Sequence, residues 1–213
     1  MSKSMNSYLS YALIAVCGCV QPLAAATLEG AFTFEKSIPA GLAVWVPGIT
    51  KEHPPASVLN QSDKLFIPTV LFARPGSVVT LRNSDQLQHN AFITDKAAGV
   101  ALDTGLNQPG ADQSMNVSWP AGTAVRVGCK IHPQMQAWII AVDSDAWVMP
   151  VAQAAGTPVS FTIPELPAAC PQVKVWTSRT GMLSLDLPAT GAATGELLFA
   201  GKVIGTVAVH LSP

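Results

Sequence analysis

Gly128-Cys129-Lys130-Ile131-His132-Pro133-Gln134-Met135-Gln136-Ala137-Trp138-Ile139 is the stretch around which the chain is organised. It sets a thiol, an imidazole and a thioether at intervals of three, on Cys129, His132 and Met135. Soft sulfur donors beside an imidazole suit copper, and a His₂Cys plane with a long, weak axial Met is a recurrent copper site. The stretch supplies three of those four donors and lacks one histidine. His89, 40 positions before Cys129, opens the strand-like run His89-Asn90-Ala91-Phe92. Lys130 and Ile131 let the chain turn so that Cys129 and His132 face one point. Pro133 stiffens the turn by fixing φ and removing a donor.

Taken singly, each donor has a plainer explanation. A lone Met fills gaps in a core. A lone Cys is a small buried hydrophobe, and a lone His is a structural or surface residue. The joint spacing is what points to a metal. His53, in Glu52-His53-Pro54-Pro55, reads as a linker residue, and His210 as part of a terminal strand. Neither is assigned to the site.

The composition excludes several partners. Of 213 residues, 49% are apolar and 12% charged, and the formal net charge is −1. With no basic run, nucleic acid is not an expected partner. The N-terminus reads as a cleaved export signal over 1–26. Lys3 precedes a short apolar run from Leu9 to Val20, and Ala24-Ala25-Ala26 forms a small-residue cleavage site. A membrane span needs about 20 apolar residues, so none is expected. Gly18 before Cys19 leaves a lipid anchor as an alternative; Val16 before Cys17 suits it less. Export leaves two cysteines, Cys129 and Cys170. In an oxidising compartment a disulfide between them is the plain alternative to a thiolate ligand.

Strand-length runs alternate with Pro and Gly throughout, and no stretch keeps a helical period. With 17 Pro and 16 Gly to supply turns, the chain reads as all-β. Strands are expected at 28–35, 42–47, 56–60, 69–73, 77–82, 89–94, 114–118, 123–128, 137–142, 158–163, 172–177, 181–187, 195–199 and 202–210. The segment 95–113 is expected to be an exposed loop with room for a short helix. Arg74-Pro75-Gly76-Ser77 and Trp119-Pro120-Ala121-Gly122 read as turns, and as the hairpins that bring His89 and Cys129 onto one sandwich. A domain of about 60 residues buries only about 60% of its unfolded surface, so the tail is small to stand alone. The expected division is a copper-binding sandwich at 54–145, with 27–50 and 152–213 forming a second, smaller β-sandwich around it.

Asn83, the pair His89-Asn90 and the Cys-x-x-His-x-x-Met spacing of 129–135 resemble cupredoxins of the plastocyanin and amicyanin type. Within that group the chain is most similar to periplasmic plastocyanin-like proteins carrying the label methylamine utilization protein. Three runs carry that likeness: Asp63-Lys64-Leu65-Phe66-Ile67-Pro68, Val127-Gly128-Cys129-Lys130-Ile131-His132, and Leu166-Pro167-Ala168 with Val175-Trp176. The resemblance is closest over 57–145 and looser over 155–181. It implies a Greek-key cupredoxin β-sandwich holding one mononuclear copper ion on His89, Cys129, His132 and Met135. Asn83 and Asn90 would stand behind the ligands, with Asn90 tying the His89 strand to the Cys129 loop. Gln134 and Asn90 stand where those relatives usually carry an aromatic residue and a second histidine, as in amicyanin-like loops.

The implied function is a periplasmic type 1 (blue) copper protein that carries single electrons between redox protein partners. The alternative is periplasmic copper handling, by Cu(I) delivery or storage. Four protein ligands leave no open position for a substrate, so an enzyme is not expected. A zinc site of His89, Cys129, His132 and Cys170 would require Cys170 beside the other three. A binding module built on the second sandwich is a further alternative.

Overall fold

The computed structural model describes residues 25–50, 57–152 and 156–213. The expected export signal up to residue 24 and His53 lie outside the described residues. Among those residues the regular structure is all β. In chain order the strands are β1 (Ala26–Phe34), β2 (Leu42–Trp45), β3 (Val58–Ser62), β4 (Leu65–Ile67), β5 (Val70–Ala73), β6 (Val78–Asn83), β7 (His89–Asp95), β8 (Val100–Asn107), β9 (Asp112–Asn116), β10 (Ala124–Gly128), β11 (Gln136–Ala141), β12 (Trp147–Val148), β13 (Val159–Leu166), β14 (Gln172–Thr177), β15 (Gly181–Asp186), β16 (Ala192–Phe199) and β17 (Lys202–Ser212). No helix among them is long and apolar enough to cross a membrane.

Four sheets stack as two sandwiches. The first combines β5-β11-β10-β7-β8 with β4-β3-β6-β9. Its core holds Leu59, Leu81, Ile93, Met115, Trp119, Val125 and Ile139. The second combines β13-β1-β17-β16 with β12-β2-β14-β15, around Leu28, Phe32, Val44, Phe161, Val175 and Val207. β1 pairs with both β13 and β17, and β2 pairs with β12 and β14. N-terminal strands thus interleave with the tail.

Side chains alternate across a strand, so a strand buried on both sides is apolar at every position. β2 and β5 are such strands, buried throughout. Leu42 and Val44 face the second core, while Ala43 and Trp45 join Val70, Phe72, Ile140 and Trp176 in a third cluster. Leu71 and Ala73 face the first core. The third cluster is the seam between the sandwiches. Trp138 and Trp147 pack against it, with Trp138 against Trp176 and Trp147 against Phe72.

Three expectations are corrected. Segment 95–113 is no open excursion: β8 occupies Val100–Asn107 and pairs antiparallel with β7. As an edge strand, β8 is exposed at many positions, and that hid its periodicity. The second turn is shifted by one. Thr123 N–H donates to Pro120 O at 3.2 Å and Gly122 has φ +83°, so the turn is 120–123 with glycine third, the place that needs positive φ. Neither turn makes a hairpin. Ser77 N–H donates to Arg74 O in a connection from β5 to β6, and 120–123 joins β9 to β10. Each crosses from one sheet to the facing one.

Candidate metal centre

The β10–β11 hairpin carries the Cys129–Met135 loop. Its last rung pairs Gly128 with Gln136. Met135 N–H donates to His132 O at 2.9 Å, closing a β-turn with Pro133 in second place, where its fixed φ suits the turn. Cys129 N–H donates to Met135 O at 3.2 Å. The loop is therefore held by its own backbone. Cys129 and Met135 are buried, His132 is half-buried, and Ile131 is 49% exposed at the tip.

His89 opens β7, which lies beside β10 in the five-stranded sheet. It is fully buried. One ligand atom each from His89, Cys129 and His132 lies within 4.8 Å of the other two. His89 Nδ1 stands 3.0 Å from His132 Nδ1, and Cys129 Sγ stands 3.8 Å from the same His132 nitrogen. Burial first, then the neighbouring His89, holds the His132 pKa below its ordinary value, which favours the neutral imidazole that a metal requires.

The donors fit a small soft cation. With metal–nitrogen and metal–sulfur bonds of about 2.0 and 2.3 Å, a trigonal plane separates sulfur from nitrogen by about 3.8 Å and the nitrogens by about 3.5 Å. The Cys129–His132 spacing matches that plane. The His89–His132 spacing is shorter, so the rings have only to part by about half an ångström. Met135 sits buried at the end of the same loop, on the inner side of the sandwich.

Two asparagines shape the surroundings. Asn90 Oδ1 accepts from Lys130 N–H at 2.7 Å, linking β7 to the ligand loop. Its amide donates to Asp103 Oδ1 at 3.0 Å, and Asp103 also pairs with Lys130 Nζ. The Lys130 bond, chiefly, draws the Asp103 pKa down to about 2. Asn83 donates to Leu87 O and Asn107 O and accepts from Asp85 N–H. The segment between β6 and β7 curls around that side chain. Asp85 and Asp103 were not singled out from the sequence. Asp85 lies four residues before His89, a spacing that becomes a contact only through this curled loop: His89 Nε2 is 3.0 Å from Asp85 Oδ2.

Cys170 does not join the cluster. It is a buried free thiol in the second sandwich, 3.4 Å from Pro167 O, and Cys129 is likewise free. Burial pushes the Cys170 thiol pKa up. The disulfide and the four-donor zinc site are thereby corrected: the two cysteines belong to different cores. His210 lies on β17, paired with Glu29 and Ala192, away from the cluster.

No protein-family model matches the chain, and no curated protein matches it. Solved structures similar to part of it include cupredoxins and a copper enzyme. A purple cupredoxin from Nitrosopumilus maritimus aligns at TM-score 0.35 and 16% identity, over 40% of this chain and 98% of that one. An oxidized amicyanin mutant aligns at TM-score 0.36 and 16% identity, over 46% and 97%. A Cu-containing nitrite reductase from Thermus scotoductus SA-01 aligns at TM-score 0.37 and 20% identity, over 44% and 24%.

Proposed function

We propose that this chain is a type 1 copper protein that carries single electrons between redox partners in the periplasm, after removal of residues 1–26. The convergence of His89, Cys129 and His132 within 4.8 Å carries the reading. His89, Cys129 and His132 would hold one copper ion, with Met135 from the same loop as a weaker fourth donor. Bound copper would supply a one-electron couple between Cu(I) and Cu(II). The chain's part is to hold the donors still. The self-bonded loop, the Asn90 tie and the buried His89 limit ligand movement, and with it the reorganisation that slows electron transfer. His132 is the donor nearest solvent, beside the exposed Ile131 and Pro133, and is the expected exit for the electron. The segment 54–145 is the copper domain, and 27–50 with 152–213 a second, discontinuous one.

The test is a Cu(II) titration of the protein, followed by visible absorption and electron paramagnetic resonance. The expected result is an intense thiolate-to-copper band with a small copper hyperfine splitting, both lost in Cys129→Ser. A colourless protein that binds Cu(I) tightly would favour Cu(I) delivery or storage instead. No copper binding in either oxidation state would end the copper reading.

A further inference from the structure

We infer that Asp85 is a positioning residue that locks His89 in the Nε2–H tautomer, so that His89 always presents a bare Nδ1 to the cluster. The inference rests on the metal reading above but concerns the chain's own hydrogens.

The Asp85 carboxylate is fully engaged. Oδ2 lies 3.0 Å from His89 Nε2 and accepts from Lys64 N–H, also at 3.0 Å. Oδ1 accepts from Gln86 N–H at 2.8 Å. An ionised carboxylate only accepts, so the hydrogen in the Asp85–His89 contact sits on His89 Nε2.

The Lys64 donor is delivered by a strained turn. Asp63 and Lys64, the two residues between β3 and β4, have φ of +53° and +58°. Two-residue hairpins of this twist want Asn-Gly or Asp-Gly, and a lysine at positive φ is uncommon. Strain of this kind persists where surrounding bonds over-determine it. Here the bond from Lys64 N–H to Asp85 does so, and the hairpin braces the carboxylate against His89.

His89 is fully buried, so the Asp85 carboxylate is the acceptor that fixes its ring. Such carboxylate–histidine pairs orient ligands, and their loss typically costs 10–100-fold in metal affinity.

The experiment uses ¹⁵N-histidine-labelled, metal-free protein at about pH 8, above the ordinary histidine pKa of about 6.5. Long-range ¹H–¹⁵N spectra should show His89 as Nε2–H. Asp85→Asn, which keeps size and shape, and Asp85→Ala should both leave His89 mixed between tautomers and weaken Cu(I) binding by about 10–100-fold. His89 carrying its hydrogen on Nδ1 in the unsubstituted protein would overturn the inference. So would folded variants whose His89 spectrum and copper affinity stay unchanged. Failure of the unsubstituted protein to bind copper would remove the copper reading and leave the tautomer result to decide the role of Asp85.

Discussion

The two sandwiches differ in what their cores contain. The second is filled by apolar side chains, with Thr177 the buried polar residue among its described strands. The first buries Gln61, Asn83, His89, Asn90 and Asn107 at one end of an otherwise apolar core. Within that group Gln61 Nε2 and Asn107 Oδ1 have no hydrogen-bond partner. An unsatisfied buried polar group costs about 1–3 kcal/mol. The second sandwich shows that this chain can build an apolar core. The polar end of the first is therefore best understood as serving the cluster it surrounds: Asn83 shapes the loop before His89, and Asn90 ties that strand to the Cys129 loop.

The two free cysteines put this contrast to its largest test. Cys129→Ser should abolish the thiolate-to-copper band, whereas Cys170→Ser should leave it intact, because Cys170 lies in the other core. Loss of the band in Cys170→Ser would mean the sandwiches share a site.

The seam comes next. Trp45 is buried between the sandwiches, with its ring 5.8 Å from that of Phe72. Trp45→Ala should cost about 3–5 kcal/mol, and calorimetry should show one unfolding transition splitting or broadening as the sandwiches uncouple. A single sharp transition at the original temperature would show that the seam does not couple them.

A smaller effect is expected inside the second sandwich. A Cβ on Gly30 would lie 2.4 Å from Phe161 and 2.6 Å from the backbone oxygen of Ala208. The backbone cannot swing away, so Gly30→Ala should destabilise by about 1–3 kcal/mol in denaturant unfolding. It should leave the copper spectrum untouched. A changed spectrum would mean that strain in the second core reaches the metal loop.

The smallest effect is on acid stability. The Asp103 pKa falls from 3.8 to about 2 on folding, chiefly through Lys130. A depressed carboxylate pKa stabilises the fold above the unfolded value, and that contribution disappears as pH drops from 3.8 to about 2. Asp103→Asn should flatten this part of the stability–pH curve. Exposed pairs contribute little, so the change should be small and confined to that window. An identical acid slope in the variant would assign the shift no role in folding.

Much of this was legible in residue order, because local chemistry writes itself there. Cys129, His132 and Met135 stand together since one short loop carries them, and Pro133 marks the turn that folds it. Most strands were legible because one face of each is apolar. β8 was not, because an exposed edge strand needs no apolar face, and β4 and β12, of three and two residues, are too short to show a period. Gly122 marked a turn, but which residue started it depended on where glycine had to adopt positive φ.

What the sequence by itself determined is therefore the all-β class, the donor types and their spacing within the loop, since these depend on neighbours along the chain. Tertiary structure alone decided that Asp85 backs His89, that Cys170 stands apart and that Trp45, Phe72 and Trp176 form a seam. Each of those contacts joins residues distant in sequence or separated by a curled loop. Their meeting is set by which sheet each strand enters and which face it turns inward, a choice made by the packing of the whole molecule.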